Sequence, residues 1–163
     1  MTPSESKLRT VNLLVEDHPG VMNRVSGMIR RRGFNIGDLS VGPTNEPGLS
    51  RMTLTVDAGH AEVDQVRKQL EKLIEVVDIA DLTDDPTVMR ELVIARLETA
   101  DETLVERLAS FGGQIIDQGG SEVIIEMTID CDEAETAVSL LRGYGIKELA
   151  RSGPVAMRRI EKQ

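Results

Sequence analysis

The residues best placed to do chemistry lie in one short stretch, Glu16-Asp17-His18-Pro19-Gly20-Val21. An apolar run, Val11 to Val15, leads into it and reads as a buried strand. A helical pattern begins near Val21. A strand that breaks at a Pro-Gly pair and feeds a helix leaves backbone N–H groups without intrahelical partners. With the positive end of the helix dipole, those groups make a site for a carboxylate or phosphate. Pro19 suits a first helical turn, and Gly20 admits a ligand close to the backbone. Asp17 adds a carboxylate able to face an ammonium group. Asn35, which opens a strand after Gly33-Phe34, adds two amide donors and an acceptor. An amino acid, with both signs of charge a few ångströms apart, is the ligand such a set would read. The same residues also read as an ordinary strand-to-helix turn, with Asp17 or His18 near the N-cap and Asn35 as a turn residue.

Other chemistry is scarce. The serines lack a G-x-S-x-G context, and there is no P-loop. Carboxylates are numerous, but they fall on helix faces expected to be wet. His18 is the one imidazole near the turn, and His60 reads as a surface residue. Cys131 lies between Asp130 and Asp132, whose charge disfavours a thiolate. Two histidines and one cysteine, far apart in sequence, make no recognisable metal set. The seven methionines sit mostly at apolar spacings and read as core. A net charge of −9 argues against a nucleic-acid partner, and Phe34, Phe111 and Tyr144 are the whole aromatic supply for stacking bases. No apolar run approaches the roughly 18 residues of a membrane span. The single cysteine and the polar start of the chain lead to an expected cytoplasmic location.

These residues must be positioned by the periodic segments around them. The expected first unit has strands Arg9 to Glu16, Asn35 to Val41, Leu49 to Val56 and Val76 to Leu82. Its first helix carries Val21, Met22, Val25, Met28 and Ile29 on one face and is stopped by Gly33. Arg30-Arg31-Arg32 at its end is either a solvated helix terminus or a polyanion patch. The second helical pattern carries Val63, Val66, Leu70, Leu73, Ile74 and Val77 on one face, and because the fourth strand starts at Val76 the helix is expected to end near Ile74. The turn 17–21 is expected at an end of the sheet, beside the start of the second strand. After a polar Thr83-Asp84-Asp85-Pro86 break the pattern repeats: strands Glu91 to Leu97, Gln114 to Gln118, one carrying Val123, Ile125, Met127 and Ile129, and Ile146 to Arg151. Helices carry Leu104, Leu108 and Phe111, then Ala134, Ala137, Val138 and Leu141, the latter with Asp132 as cap. The expected fold is α+β, two tandem ferredoxin-like βαββαβ units. A flexible arm at 1–8 precedes a unit at 9–82, a linker at 83–88 and a unit at 89–163.

Several motifs in order carry a resemblance: the stretch 16–21, Arg31-Arg32-Gly33-Phe34-Asn35-Ile36, Leu49-Ser50-Arg51-Met52-Thr53, Phe111-Gly112-Gly113-Gln114-Ile115-Ile116-Asp117 and Ala150-Arg151-Ser152-Gly153-Pro154-Val155-Ala156-Met157. Together they resemble the small, regulatory subunit of acetolactate synthase (acetohydroxyacid synthase). The resemblance implies that the first unit is an ACT domain and that two ACT sheets join edge to edge in a homodimer. It implies an effector site for valine or another branched-chain amino acid, with Asp17, His18, Pro19, Gly20, Val21 and Met22 from one subunit and Asn35 and Ile36 from the other. It implies no active site and no cofactor on this chain. Thiamine diphosphate, Mg and FAD would belong to a large catalytic subunit that this chain activates and places under feedback inhibition. Two positions depart from the pattern. Asp17 stands where many members carry asparagine, which favours a ligand ammonium and repels a ligand carboxylate. Phe111-Gly112-Gly113 stands where Phe-Arg-Gly is frequent. Rival readings are a stand-alone ACT sensor of another enzyme or transcription system, an acylphosphatase-like hydrolase, and an RNA-recognition domain. The hydrolase would want an arginine in the first turn, and the RNA-binding domain would want aromatics on the third strand; both are missing.

Overall fold

A computed structural model describes residues 7–58 and 60–160; the side chains of residues 7, 58, 60 and 61 also lie outside it. The arm expected at 1–8 therefore falls largely outside the described residues, as does the surface placement of the His60 side chain. The elements run β1 (Lys7–Glu16), α1 (Val21–Arg31), β2 (Asn35–Pro43), β3 (Leu49–Ala58), α2 (His60–Leu70), β4 (Val76–Asp81), then β5 (Thr87–Leu97), α3 (Glu102–Ser110), β6 (Gln114–Gly119), β7 (Glu122–Ile129), α4 (Ala134–Leu141), β8 (Ile146–Arg151) and β9 (Val155–Arg158). The two sheets have the orders β2-β3-β1-β4 and β6-β7-β5-β8, with β9 pairing to β5 off that path. Each is the antiparallel βαββαβ arrangement of the ferredoxin-like fold.

One compact unit runs to Val88 and takes back the segment from Ala156; the other is Met89–Val155. The sequence reading had placed everything after residue 89 in the second unit. The return is anchored by hydrogen bonds: Asn12 Nδ2 donates to Ala156 O at 2.9 Å and Arg158 Nε to Asp85 at 2.7 Å.

In the first unit, alternation on β1 and β3 sends Val11, Leu13, Val15, Met52, Leu54 and Val56 to the face covered by the helices. Val21, Val25 and Ile29 of α1 and Val63, Val66 and Leu70 of α2 close that core. α1 packs beside β2, and α2 beside β4. The second unit repeats the layout with Val93, Ala95, Leu97, Val123, Ile125, Met127 and Ile129 under Leu104, Leu108, Ala134, Ala137, Val138 and Leu141.

Several expected boundaries move. β1 starts two residues early at Lys7, and β2 continues to Pro43. α2 ends at Leu70, and Ile74 is 86% exposed rather than part of its apolar face. A helical continuation would have competed with the turn that Leu73 and Val76 make, where N–H groups bond back three residues. β5 begins at Thr87, inside the expected linker; Glu91 is the first residue it pairs to β7, and β9 also pairs to β5. Asp130 caps a 3₁₀ turn at Cys131–Glu133 that leads into α4, whereas α4 itself follows Glu133 with no side-chain cap, so the expected cap by Asp132 is corrected.

Candidate functional site

The β1–α1 turn is built around one backbone conformation. Gly20 takes the N-cap position at φ 94°, and no side chain caps α1. L side chains enter that left-handed region at a cost of about 1–2 kcal/mol. A Cβ at Gly20 would meet nothing within 4 Å, so the backbone angle, not crowding, requires glycine. The expected cap by Asp17 or His18 is therefore corrected. Pro19 precedes the cap instead of occupying the first helical turn. Val21 N reaches His18 O at 3.4 Å, and Arg24 N closes the first helical bond to Gly20 O at 3.0 Å. The N–H groups of Met22 and Asn23 lie between these and have no carbonyl to reach within the helix.

The turn is pinned from two sides. Asp17 N donates to Gly48 O at 2.8 Å, and Glu16 N to Glu75 O at 2.9 Å. The Glu75 side chain is 3% exposed. Its Oε1 pairs with Arg24 Nη1 on α1, and its Oε2 has no partner among the described residues. Glu75 thus ties the first turns of α1 to the end of β1.

Beside this turn lies a groove of about 370 Å³. Buried Val15, Ser50 and Met52 line it together with Val21, Met22 and Val41. Met22 and Val41 are 49% and 44% exposed, a high value for apolar side chains in a groove. Glu16, Asp17, His18, Pro19 and Gly20 complete the lining. Both ring nitrogens of His18 face oxygen acceptors, Nε2 toward Glu16 at 3.1 Å and Nδ1 toward Pro19 O at 3.2 Å. The exposed Asp17 carboxylate has no partner among the described residues. The groove therefore offers main-chain donors, one uncommitted carboxylate and an apolar wall, which suits a small zwitterion with an aliphatic side chain.

Six of the eight expected site residues, Asp17, His18, Pro19, Gly20, Val21 and Met22, line this groove. Asn35 and Ile36 do not. Asn35 pairs with Asp57 near one end of β3, whereas Glu16 pairs with Leu49 at the other. Six residues of strand put Asn35 roughly 20 Å from Val41 along β2. The expectation that the turn lies beside the start of β2 is corrected: it lies beside the end. The reason is elementary, since α1 carries the chain back across the sheet before β2 begins. Val15, Glu16, Val41, Ser50 and Met52 were overlooked as lining. Their signal was the register, in which Val15 faces Ser50 and Val41 faces Met52.

The corresponding β5–α3 turn of the second unit is closed. Asp101 is the N-cap of α3, and its Oδ1 accepts from Leu104 N at 2.8 Å and Thr103 Oγ1 at 2.6 Å. The Thr103 hydroxyl first, and the Leu104 N–H second, hold the Asp101 carboxyl below the ordinary carboxylate range.

A family model described as the AHAS small subunit-like ACT domain matches residues 11–78, and one described as the small subunit of acetolactate synthase matches residues 90–160. The chain belongs to the acetolactate synthase small-subunit family. Relatives include a protein of Archaeoglobus fulgidus named "Probable acetolactate synthase small subunit", 45% identical over 157 residues, 94% of this chain and 98% of that one. The acetolactate synthase small subunit of Mycolicibacterium smegmatis is 39% identical, covering 92% of this chain and 90% of its own. The crystal structure of the acetolactate synthase small subunit from Thermotoga maritima superposes with a TM-score of 0.86 at 34% identity, over 96% of this chain and 99% of that chain. Family membership and the two-unit α+β fold thus agree with the motif resemblance. Gly112 has φ 66° after the end of α3, a backbone that suits glycine in Phe111-Gly112-Gly113. Among the described residues, no helix is long and apolar enough to cross a membrane, and no cluster of three His, Cys, Asp or Glu could hold a metal ion.

Proposed function

We propose that this chain is the regulatory subunit of acetolactate synthase: it binds a thiamine-diphosphate-dependent catalytic subunit, raises its activity and makes it responsive to valine or another branched-chain amino acid. The observation that carries the reading is the groove at the uncapped start of α1, lying within the ACT-domain match. The N–H groups of Met22 and Asn23 would receive the effector carboxylate, and Asp17 its ammonium. Val15, Val21, Met22, Val41 and Met52 would bury the branched side chain, worth roughly 1.5–3 kcal/mol relative to glycine. Asn35 and Ile36 would come from a second copy, through pairing of two β2 edges. β2 is an edge strand, and pairing it removes an exposed template. Thiamine diphosphate, Mg and FAD would be held by the catalytic partner, and the assembly would work in the cytoplasm. Inhibition requires only that the effector bind two conformations of the assembly unequally, with a coupling of about 1–3 kcal/mol.

The test is reconstitution. Added to the catalytic subunit, the chain should co-purify with it, raise acetolactate formation and render that rate sensitive to valine, leucine or isoleucine. Calorimetry should report binding of at least one of them to the isolated chain. Failure to bind the catalytic subunit, together with a heat signal from an amino acid, would point instead to a stand-alone sensor. Absence of both would overturn the proposal.

A further inference from the structure

The two ends of the β2–α1 side of the first unit carry opposite charge. At one end, exposed Glu16 and Asp17 border the groove. At the other, Arg30, Arg31 and Arg32 are all exposed where α1 ends. None of the three makes an ion pair among the described residues, in a chain whose net charge is −9. The helix dipole favours cations at that end only weakly, and it does not require three in a row. α1 has 11 residues and spans about 16 Å, too far for Arg31 to reach its own Asp17. Exposed Asp57 lies opposite Asn35 at the same end, yet among the described residues neither the three arginines nor Asp17 has an ion-pair partner within one copy.

An antiparallel pairing of two β2 edges about a twofold axis reverses one copy against the other. Because α1 packs beside β2, the basic end of each copy then comes to the acidic end of its neighbour. We propose that Arg30, Arg31 and Arg32 of a second copy dock on the Glu16–Asp17 border of the groove, fixing the antiparallel sense of the pairing and completing the site. This rests on the β2-edge dimer proposed above. With guanidinium groups from the second copy beside it, the Glu16–Asp17 border is no longer net negative. Complementary charge of this kind acts mainly on orientation and association.

The test uses the full chain in sedimentation equilibrium, with hydrogen exchange on β2. A wild-type dimer with protected β2 amides supports the edge pairing; a monomer, or a dimer with unprotected β2, overturns that pairing and this proposal with it. Given the edge dimer, the Arg30→Gln, Arg31→Gln, Arg32→Gln triple variant should raise the dimer dissociation constant about tenfold and flatten its salt dependence. Mixing an Arg30→Glu, Arg31→Glu, Arg32→Glu chain with a Glu16→Lys, Asp17→Lys chain should give the heterodimer in excess over the statistical ratio. An unchanged dissociation constant with unchanged salt dependence, or statistical mixing, would overturn the docking while leaving the edge dimer standing.

Discussion

The two halves of this chain share one layout and treat the same position differently. In the first, the strand-to-helix turn ends at Gly20 in a left-handed conformation, with no side chain over the helix start. In the second, Asp101 fills that place with its own carboxylate. The buried carboxylates follow suit. Glu75 has one oxygen on Arg24 and one without a partner among the described residues, whereas Glu91 gives both oxygens to Arg151, at 2.5 and 3.0 Å. One unit satisfies its polar groups internally; the other leaves donors and a carboxylate uncommitted around a groove. Shared topology therefore does not imply a shared site. What separates the halves is a single cap and one unsatisfied oxygen.

The largest expected effect tests the paired carboxylates. Arg151→Ala leaves Glu91 buried without its clamp and should destabilise the second unit by about 3 kcal/mol. Arg24→Ala should destabilise the first by less, about 2 kcal/mol, because Arg24 is exposed and solvent already screens it. Hydrogen exchange resolved by unit during urea unfolding measures both; the reverse order would break the contrast. Next, Gly20→Val should cost about 1–2 kcal/mol through backbone strain and abolish effector binding seen by calorimetry. Retained binding would mean that the turn is not the site.

Asp101→Ala should destabilise the second unit by less than the changes above, since it removes only the N-cap of α3. Asp101 has a lowered folded-state value, so its contribution is present above the ordinary carboxylate value of 3.8 and is lost as pH falls through the folded value. Acid titration followed by circular dichroism should show this increment in the wild type and not in Asp101→Asn. The smallest effect is at Asp17. Without the neighbouring arginines the Asp17→Asn variant should bind valine a few-fold more weakly, because the effector ammonium loses its partner; with them in place, the loss should shrink, since the arginines already draw on that carboxylate. Measuring Asp17→Asn alone and on the arginine-to-glutamine background resolves the two.

How far the sequence could be read depended on distance along the chain. Apolar spacing located α1, α3 and most strands, because burial on one face leaves a local period of 3.6 or 2. It misjudged the end of α2, where Ile74 continues the helical spacing but projects into solvent. Apolar spacing records compatibility with a helix, not the point at which a turn takes over. The start of α4 shows the same limit: Asp132 is a good cap by type, but a 3₁₀ turn capped by Asp130 comes first and leaves α4 with no side-chain cap.

Sequence by itself determined the family, the order of elements as far as β8 and six residues of the groove, since those six are contiguous and their conformation is set by a local turn; the strand β9 was not expected. Tertiary structure decided the rest. Val41, Ser50 and Met52 reach the groove only through strand register, and Asn35 lies at the far end because α1 reverses the chain. Local propensity acts over a few residues, whereas sheet pairing joins residues tens of positions apart, and a groove bordered by an edge strand is shaped by the second kind of contact.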